Sequence, residues 1–206
     1  MVEQGSPEWF ALRLGRVTAS RIADVMAGGK GITRRKYQVQ LIQERLTGTV
    51  VEGFTSRSIE QGKEREPQAR SFYDLMTDEP TSQIDFVPHA LIPMSGASPD
   101  LLVGELGLAE FKCPESHTHF DSLMGAKIPR KYTDQVQWQM ACTGREWCDW
   151  VSFDPTMPPE MQMHIERIEC DFERIREIES EVRKFLDEVT EEVAFAEKKF
   201  GLAVAA

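Results

Sequence analysis

The 206-residue sequence predicts an α/β or α+β domain in which helices precede a central sheet and helices follow it. Three observations carry that reading. The length suits one domain with a substantial core and is short for two. Between residues 84 and 168 the pattern shifts to short apolar runs punctuated by Pro and Gly, the mark of strands. On either side of that region apolar residues recur at helical spacing.

The elements follow in chain order. Ser6-Pro7-Glu8 starts a helix with a capping side chain, a proline at the first position and an acid in the first turn; Trp9, Phe10, Leu12 and Leu14 follow, and Gly15 stops it. A second helix is expected from Thr18, with Ile22, Val25 and Met26 on one face before Gly28-Gly29. A third spans Thr33 to Leu46 and ends at Gly48. Residues 58–77 read as helix, with Pro67 either kinking it or marking a new start. Strands are expected at Ile84–Ile92, Leu101–Val103 and Leu108–Cys113, then a helix at Lys131–Cys142, and a strand pair at Trp147–Phe153 and Met161–Ile168. Residues 171–200 form a long amphipathic helix carrying Ile175, Ile178, Val182, Phe185, Val189 and Val193 on one side. That surface is core, subunit contact or partner surface. The domain thus runs from 1 to 200, with a basic helical segment at 1–48, a sheet core at 84–168 and a flexible tail at 201–206.

Composition narrows the function. Net charge is −10, which argues against a protein coated with basic residues, yet residues 1–48 hold eight Lys/Arg against four Asp/Glu. A local cationic surface on an acidic body is the implication. No apolar run reaches the ~18 residues of a membrane span, and the N-terminus lacks a signal-peptide core. A cytoplasmic protein with no membrane partner is expected. Cys113, Cys142, Cys148 and Cys170 form no CxxC pair and read as free thiols. His117 and His119 lie after the third apolar run without companion ligands, so a polar loop is expected there rather than a zinc site. Trp9, Trp138, Trp147 and Trp150 read as core or interface rather than base-stacking platforms.

The chemistry concentrates in Ser98-Pro99-Asp100 and Leu108–Cys113. The strand period of two puts Leu108, Glu110 and Lys112 on one, outward, face and Ala109, Phe111 and Cys113 on the other. Folding back about Gly104–Gly107 lays Asp100 opposite Glu110 or within one residue of it, at a Cβ separation of about 4.5–5.5 Å. Two carboxylates so close repel unless a cation lies between them, and a hard divalent ion such as Mg²⁺ suits oxygen ligands. Lys112 on the same side is placed to orient or deprotonate a water and to stabilise charge on a phosphate. The competing reading is a solvated hairpin with an ordinary salt bridge. One further Glu-x-Lys occurs, Glu197–Lys199 in the C-terminal helix, where no Pro-Asp turn precedes it.

Ser98-Pro99-Asp100…Glu110-Phe111-Lys112 resembles the motif of the PD-(D/E)XK nuclease superfamily. Three further blocks resemble one branch of it, the phage lambda exonuclease (YqaJ-type, alkaline exonuclease) family. They are Trp9-Phe10-Ala11-Leu12-Arg13-Leu14-Gly15 with Val17-Thr18-Ala19-Ser20, then Gly62-Lys63-Glu64-Arg65-Glu66, and Tyr132-x-x-Gln135-Val136-Gln137. The four blocks stand in family order across residues 9–140.

The resemblance implies a restriction-endonuclease-like fold with a central mixed β-sheet flanked by helices. It implies a Mg²⁺-dependent exonuclease, with Mn²⁺ able to substitute, that degrades one strand of linear double-stranded DNA 5′→3′ to mononucleotides. Carried over, Asp100 and Glu110 are metal ligands with the Phe111 carbonyl, and Glu66 reaches a second metal position. Two ions about 4 Å apart would then flank the phosphate. Lys112 acts on the attacking water, and Gln135 helps hold that water or the phosphate; without the family, Gln135 reads equally as an exposed helix residue. Arg13, Ser20 and Lys30 form a pocket for the 5′-terminal phosphate, Lys30 standing where the family has Arg. By themselves Arg13 reads as a helix-surface residue and Ser20 as a cap, although a helix opening at Thr18-Ala19-Ser20 would offer N–H groups to an anion. Pro67 beside Glu66 departs from the uninterrupted helix the family leads one to expect. A homotrimeric ring, a single-strand annealing recombinase as partner, and a prophage or phage-infected bacterial setting complete the implications. The alternatives are another PD-(D/E)XK nuclease, cutting internally or at junctions, and a non-catalytic DNA-end-binding subunit.

Overall fold

In the computed structural model, residues 6–27, 31–51 and 57–202 are described. Helix α1 (Pro7–Arg13) is capped by Ser6, whose hydroxyl accepts from the Trp9 N–H. Strand β1 (Val17–Thr18) leads through a 3₁₀ turn (Ala19–Arg21) into the short helix α2 (Ile22–Met26), and α3 (Ile32–Thr47) closes at Gly48. Helix α4 (Arg57–Met76) follows, then strands β2 (Thr81–Ser82), β3 (Val87–Pro88), β4 (Ser95–Ala97), β5 (Leu101–Val103) and β6 (Gly107–Lys112). Helices α5 (Ser116–Leu123) and α6 (Arg130–Thr143) cross to β7 (Trp147–Phe153), which pairs with β8 (Met163–Glu169) before α7 (Phe172–Phe200).

The main sheet has the order β2-β5-β6-β7-β8. It is mixed: β6 and β7 run parallel, and the remaining pairs are antiparallel. A smaller sheet, β1-β4-β3, lies beside it. The parallel pair requires the crossover that α5 and α6 supply. On one face of β6, Ala109 and Phe111 pack with Ala69 and Tyr73 of α4; on the other, Leu108 packs with Val136 and Met140 of α6. A third cluster joins α2, α3 and α7 through Ile22, Leu41, Ile178 and Phe185, with Trp138 of α6 among them.

Several expectations change here. The Glu110 face of the hairpin is not outward: it lies under α6, and Glu110 is 4% exposed. Of Ile84–Ile92 only Val87–Pro88 is strand, paired antiparallel with β4; the His89 N–H still donates to the Ser95 carbonyl before the chain turns back toward β4. Thr18 ends strand β1 and also caps the 3₁₀ turn that runs into α2, so the helix expected from Thr18 begins as 3₁₀. The Val17 N–H donates to the Met94 carbonyl, and the Thr18 N–H donates to the Tyr37 hydroxyl. The stretch with His117 and His119 is helix α5, not a loop. Helix α4 runs through Pro67 without interruption. Helix α7 closes at Gly201, which adopts a left-handed φ of 63° and, with Leu202, returns N–H bonds to the Glu197 carbonyl. Residues 203–206, and Gly28-Gly29 with Lys30, lie outside the described residues.

Candidate active site

The register of β5 on β6 pairs Leu101 with Ala109, which sets Asp100 across from Glu110 as the spacing predicted. Two glycines make that hairpin possible. Gly104 turns the chain at φ 53°, and a Cβ on Gly107 would sit 2.2 Å from the Trp147 ring. Asp100 is buried and its Oδ2 accepts from the Phe111 N–H at 2.8 Å. Both carboxylates are therefore fixed by the strands that carry them.

Glu110 is held by three donors. Its Oε1 accepts from Lys112 Nζ at 2.6 Å and from Gln135 Nε2 at 2.5 Å, and its Oε2 accepts from Gln139 Nε2 at 2.6 Å. Gln135 and Gln139 are one turn apart on α6 and so present their amides along one stripe. The helix is pinned on its other sides: Arg174 donates twice to Asp134, both at 2.7 Å, Gln137 bonds the backbone at Glu169 and Asp171, and Trp138 Nε1 donates to the Gly96 carbonyl. Lys112 Nζ also lies 5.1 Å from the Tyr132 ring centre.

Arg13 ends α1. Its guanidinium lies 4.0 Å over the Trp9 ring and its Nη1 reaches the Ser98 hydroxyl at 3.4 Å. Burial lowers its pKa to about 10, which leaves it charged at neutral pH. Ser20, exposed in the 3₁₀ turn, faces the same space. One cavity of about 210 Å³ is lined by Arg13, Ser20, Glu66, Asp100, Glu110, Phe111, Lys112 and Gln135, together with Trp9, Ser98 and Gln139. A neighbouring cavity of about 230 Å³ shares Trp9, Arg13 and Ser20 and continues toward Arg16, Tyr37 and Val50.

The carboxylates of the cavity act on one another and on Lys112. Burial, then the charges of Glu110 and Glu66, push the Asp100 carboxyl well above the ordinary range. Burial also works against the Lys112 ammonium, but Glu110 and Asp100 outweigh it and the pKa is raised. Gln139 Oε1 is buried with no hydrogen-bond partner among the described residues. Crowded carboxylates, an unpartnered amide oxygen and an all-oxygen donor set fit a hard divalent ion. Asp100, Glu110 and the Phe111 carbonyl are the groups that would hold it. Among the described residues no three His, Cys, Asp or Glu side chains gather closely enough to make a metal cluster by themselves. Glu66 lines the cavity but is ion-paired with Arg70 one turn along α4.

Other candidates fall away. His119 is fully buried with both ring nitrogens engaged, by the Ser152 hydroxyl and the Met161 carbonyl, each at 2.8 Å. Burial pushes the Cys113 thiol up to about 12, so it is an inert neighbour of Lys112. The Thr18 N–H is taken by Tyr37, while Ala19 and Ser20, which open the 3₁₀ turn capped by Thr18, line the cavity. Trp138 and Trp150 are core as expected, whereas Trp9 is a cavity wall. Gln139 was not anticipated; its only signal is its four-residue spacing from Gln135.

A family model for the YqaJ-like viral recombinase domain matches residues 8–146. The chain belongs to the YqaJ-like viral recombinase family. Solved structures agree with that YqaJ-like assignment. The alkaline exonuclease LHK-Exo from Laribacter hongkongensis matches with a TM-score of 0.89 at 44% identity, over 95% of this chain and 98% of that one. Its complex with dAMP matches with a TM-score of 0.90 at 45% identity over the same shares. A phage-related exonuclease from Haemophilus somnus 129PT shares the fold, with a TM-score of 0.66 at 15% identity over 86% of this chain and 96% of that one. No match was found among curated proteins.

Proposed function

We propose that this protein is a Mg²⁺-dependent exonuclease that degrades one strand of linear double-stranded DNA from its 5′ end and releases mononucleotides. The family and the similarity to LHK-Exo support a DNA exonuclease. The direction and the metal are the proposal. The observation that carries it is the single cavity in which Arg13 and Ser20 face Asp100, Glu110 and Lys112. A cation there supplies Lewis-acid polarisation of a phosphate and lowers the pKa of a water. Mn²⁺ is expected to substitute, and a second ion would need Glu66 to leave Arg70.

The chain's own groups do the rest. Asp100 and Glu110 supply oxygen ligands from two paired strands. Gln135 holds Glu110 and faces the cavity, within reach of a bound phosphate or water. Lys112, an ammonium while it faces two carboxylates, orients the nucleophile and offsets charge that develops on the phosphate. Arg13 presents a forked donor pair to the terminal phosphate one nucleotide away, and Ser20 a hydroxyl. Lys30 completes that grip in the proposal. LHK-Exo binds dAMP, a nucleoside monophosphate of the kind this reaction would release.

By the same family likeness we propose a homotrimeric ring around the DNA and a single-strand annealing recombinase that takes up the exposed 3′ strand. The test of the function is degradation of duplex DNA bearing 5′-phosphate or 5′-hydroxyl ends, beside the same DNA as a closed circle, with and without Mg²⁺. Mg²⁺-dependent loss of the linear form, faster from 5′-phosphate, is expected. Degradation of the circle contradicts the exonuclease reading, and equal rates from both ends contradict the phosphate grip.

A further inference from the structure

The geometry points to Gln139 as a positioning residue for the cation site, with two separate tasks for its two amide atoms. The inference rests on the reading of Asp100 and Glu110 as cation ligands. Gln139 is fully buried, and its Nε2 donates to Glu110 Oε2 at 2.6 Å. Because a carboxylate only accepts, the atom at that contact is the amide nitrogen, and the oxygen necessarily points elsewhere. That oxygen has no hydrogen-bond partner among the described residues, although the side chain lines the cavity.

The two ends of Glu110 are held differently. Oε1 takes two donors, Lys112 and Gln135, whereas Gln139 is the donor on Oε2. Loss of Gln139 leaves Oε2 without that donor and the carboxylate held through its Oε1 contacts. The buried amide oxygen has its own use. Mg²⁺ keeps several waters when bound by one or two carboxylates, and those waters are donors in need of acceptors. A buried acceptor without a partner is costly, and a donor water removes that cost. Gln139 therefore holds one ligand by its N–H and accepts from the cation's hydration shell by its oxygen. Hydrogen-bonding partners of metal ligands typically contribute 10–100-fold to metal affinity.

The test is Mn²⁺ titration by calorimetry on the wild-type protein, Gln139→Met, Gln139→Asn and Asp100→Asn, with melting measured in chelator for each. Methionine keeps length and buried volume without either amide atom; asparagine keeps the amide but falls one methylene short of Glu110. Both variants are expected to bind Mn²⁺ 10–100-fold more weakly while melting close to wild type. The Mn²⁺ concentration giving half-maximal nuclease rate should rise by the same factor. Wild-type affinity in both, with Asp100→Asn abolishing binding, overturns the role of Gln139 and leaves the site reading standing. Mn²⁺ binding that is indifferent to Asp100→Asn overturns the site reading itself. If Gln139→Met fails to fold, Gln139→Asn decides.

Discussion

Asp100 shows how much of the site is held against its own preference. Its carboxyl is buried beside Glu110 and near Glu66, so its pKa is raised in the folded protein. The native state then binds that proton more tightly than the unfolded chain, whose aspartates titrate near ~3.9. Stability is consequently lost as pH rises through the unfolded value toward the folded one. Asparagine keeps an oxygen for the Phe111 N–H and carries no charge. Without divalent cation at neutral pH, Asp100→Asn should melt above wild type, with the gain shrinking as pH falls toward about 4 and gone below it, and should be inactive. A lower melting point at neutral pH would contradict the burial argument. Lys112 and Arg13 complete the picture at this scale: one is tied to its carboxylate partner, the other is a buried cation stacked on Trp9. Lys112 was visible in the sequence because its type and spacing match a chemical need, whereas Arg13 reads by itself as a helix-surface residue and stood out through the family resemblance. Gln139 was not, since a glutamine in a helix signals nothing until the opposing strand is known.

At the scale of elements, the hairpin and α6 form one device. The hairpin sets Asp100 against Glu110, and α6 lays two amides over Glu110. The close approach of β6 to β7 at Gly107 is part of it, since the Trp147 ring occupies the space of a side chain there and is itself covered by Arg167 at 3.6 Å. Gly107→Ala should cost about 1–3 kcal/mol by overpacking, read as a lower urea midpoint; an unchanged midpoint would contradict the packing. Strong periodicity made α3, α6, α7, β7 and the β5–β6 hairpin legible in advance. What escaped were elements fixed by distant partners. Strand β1 exists because it pairs with β4 and because the Met94 carbonyl and the Tyr37 hydroxyl take its N–H groups, and β4 itself is three residues, Ser95–Ala97, with almost no pattern to read. Helix α5 was hidden by its polar surface, although His119 is entirely buried beneath it. The outward face assigned to Glu110 was wrong for the same reason: alternation locates a face but does not say what covers it.

At the scale of the molecule, an acidic chain has a net positive N-terminal quarter, where α1 and the 3₁₀ turn bring Arg13 and Ser20 to the cavity lined by Asp100, Glu110 and Lys112. Large apolar side chains stay exposed on the described surface, among them Leu75 at 87%, Phe195 at 65% and Phe200 at 68%. A trimer would cover apolar surface of this kind, and sedimentation equilibrium should give about three times 23.4 kDa; a mass near that of one chain would contradict the ring. No helix among the described residues is long and apolar enough to cross a membrane. The central claim is directional, that one cavity grips a 5′ end and cuts the next phosphodiester. A linear duplex with one strand labelled at its 5′-terminal or its 3′-terminal nucleotide tests it most directly. The account predicts that with Mg²⁺ the 5′ label leaves in the first turnovers as a mononucleotide while the 3′ label stays on a shortening strand. Earlier release of the 3′ label, or release of the 5′ label on long fragments, would contradict it.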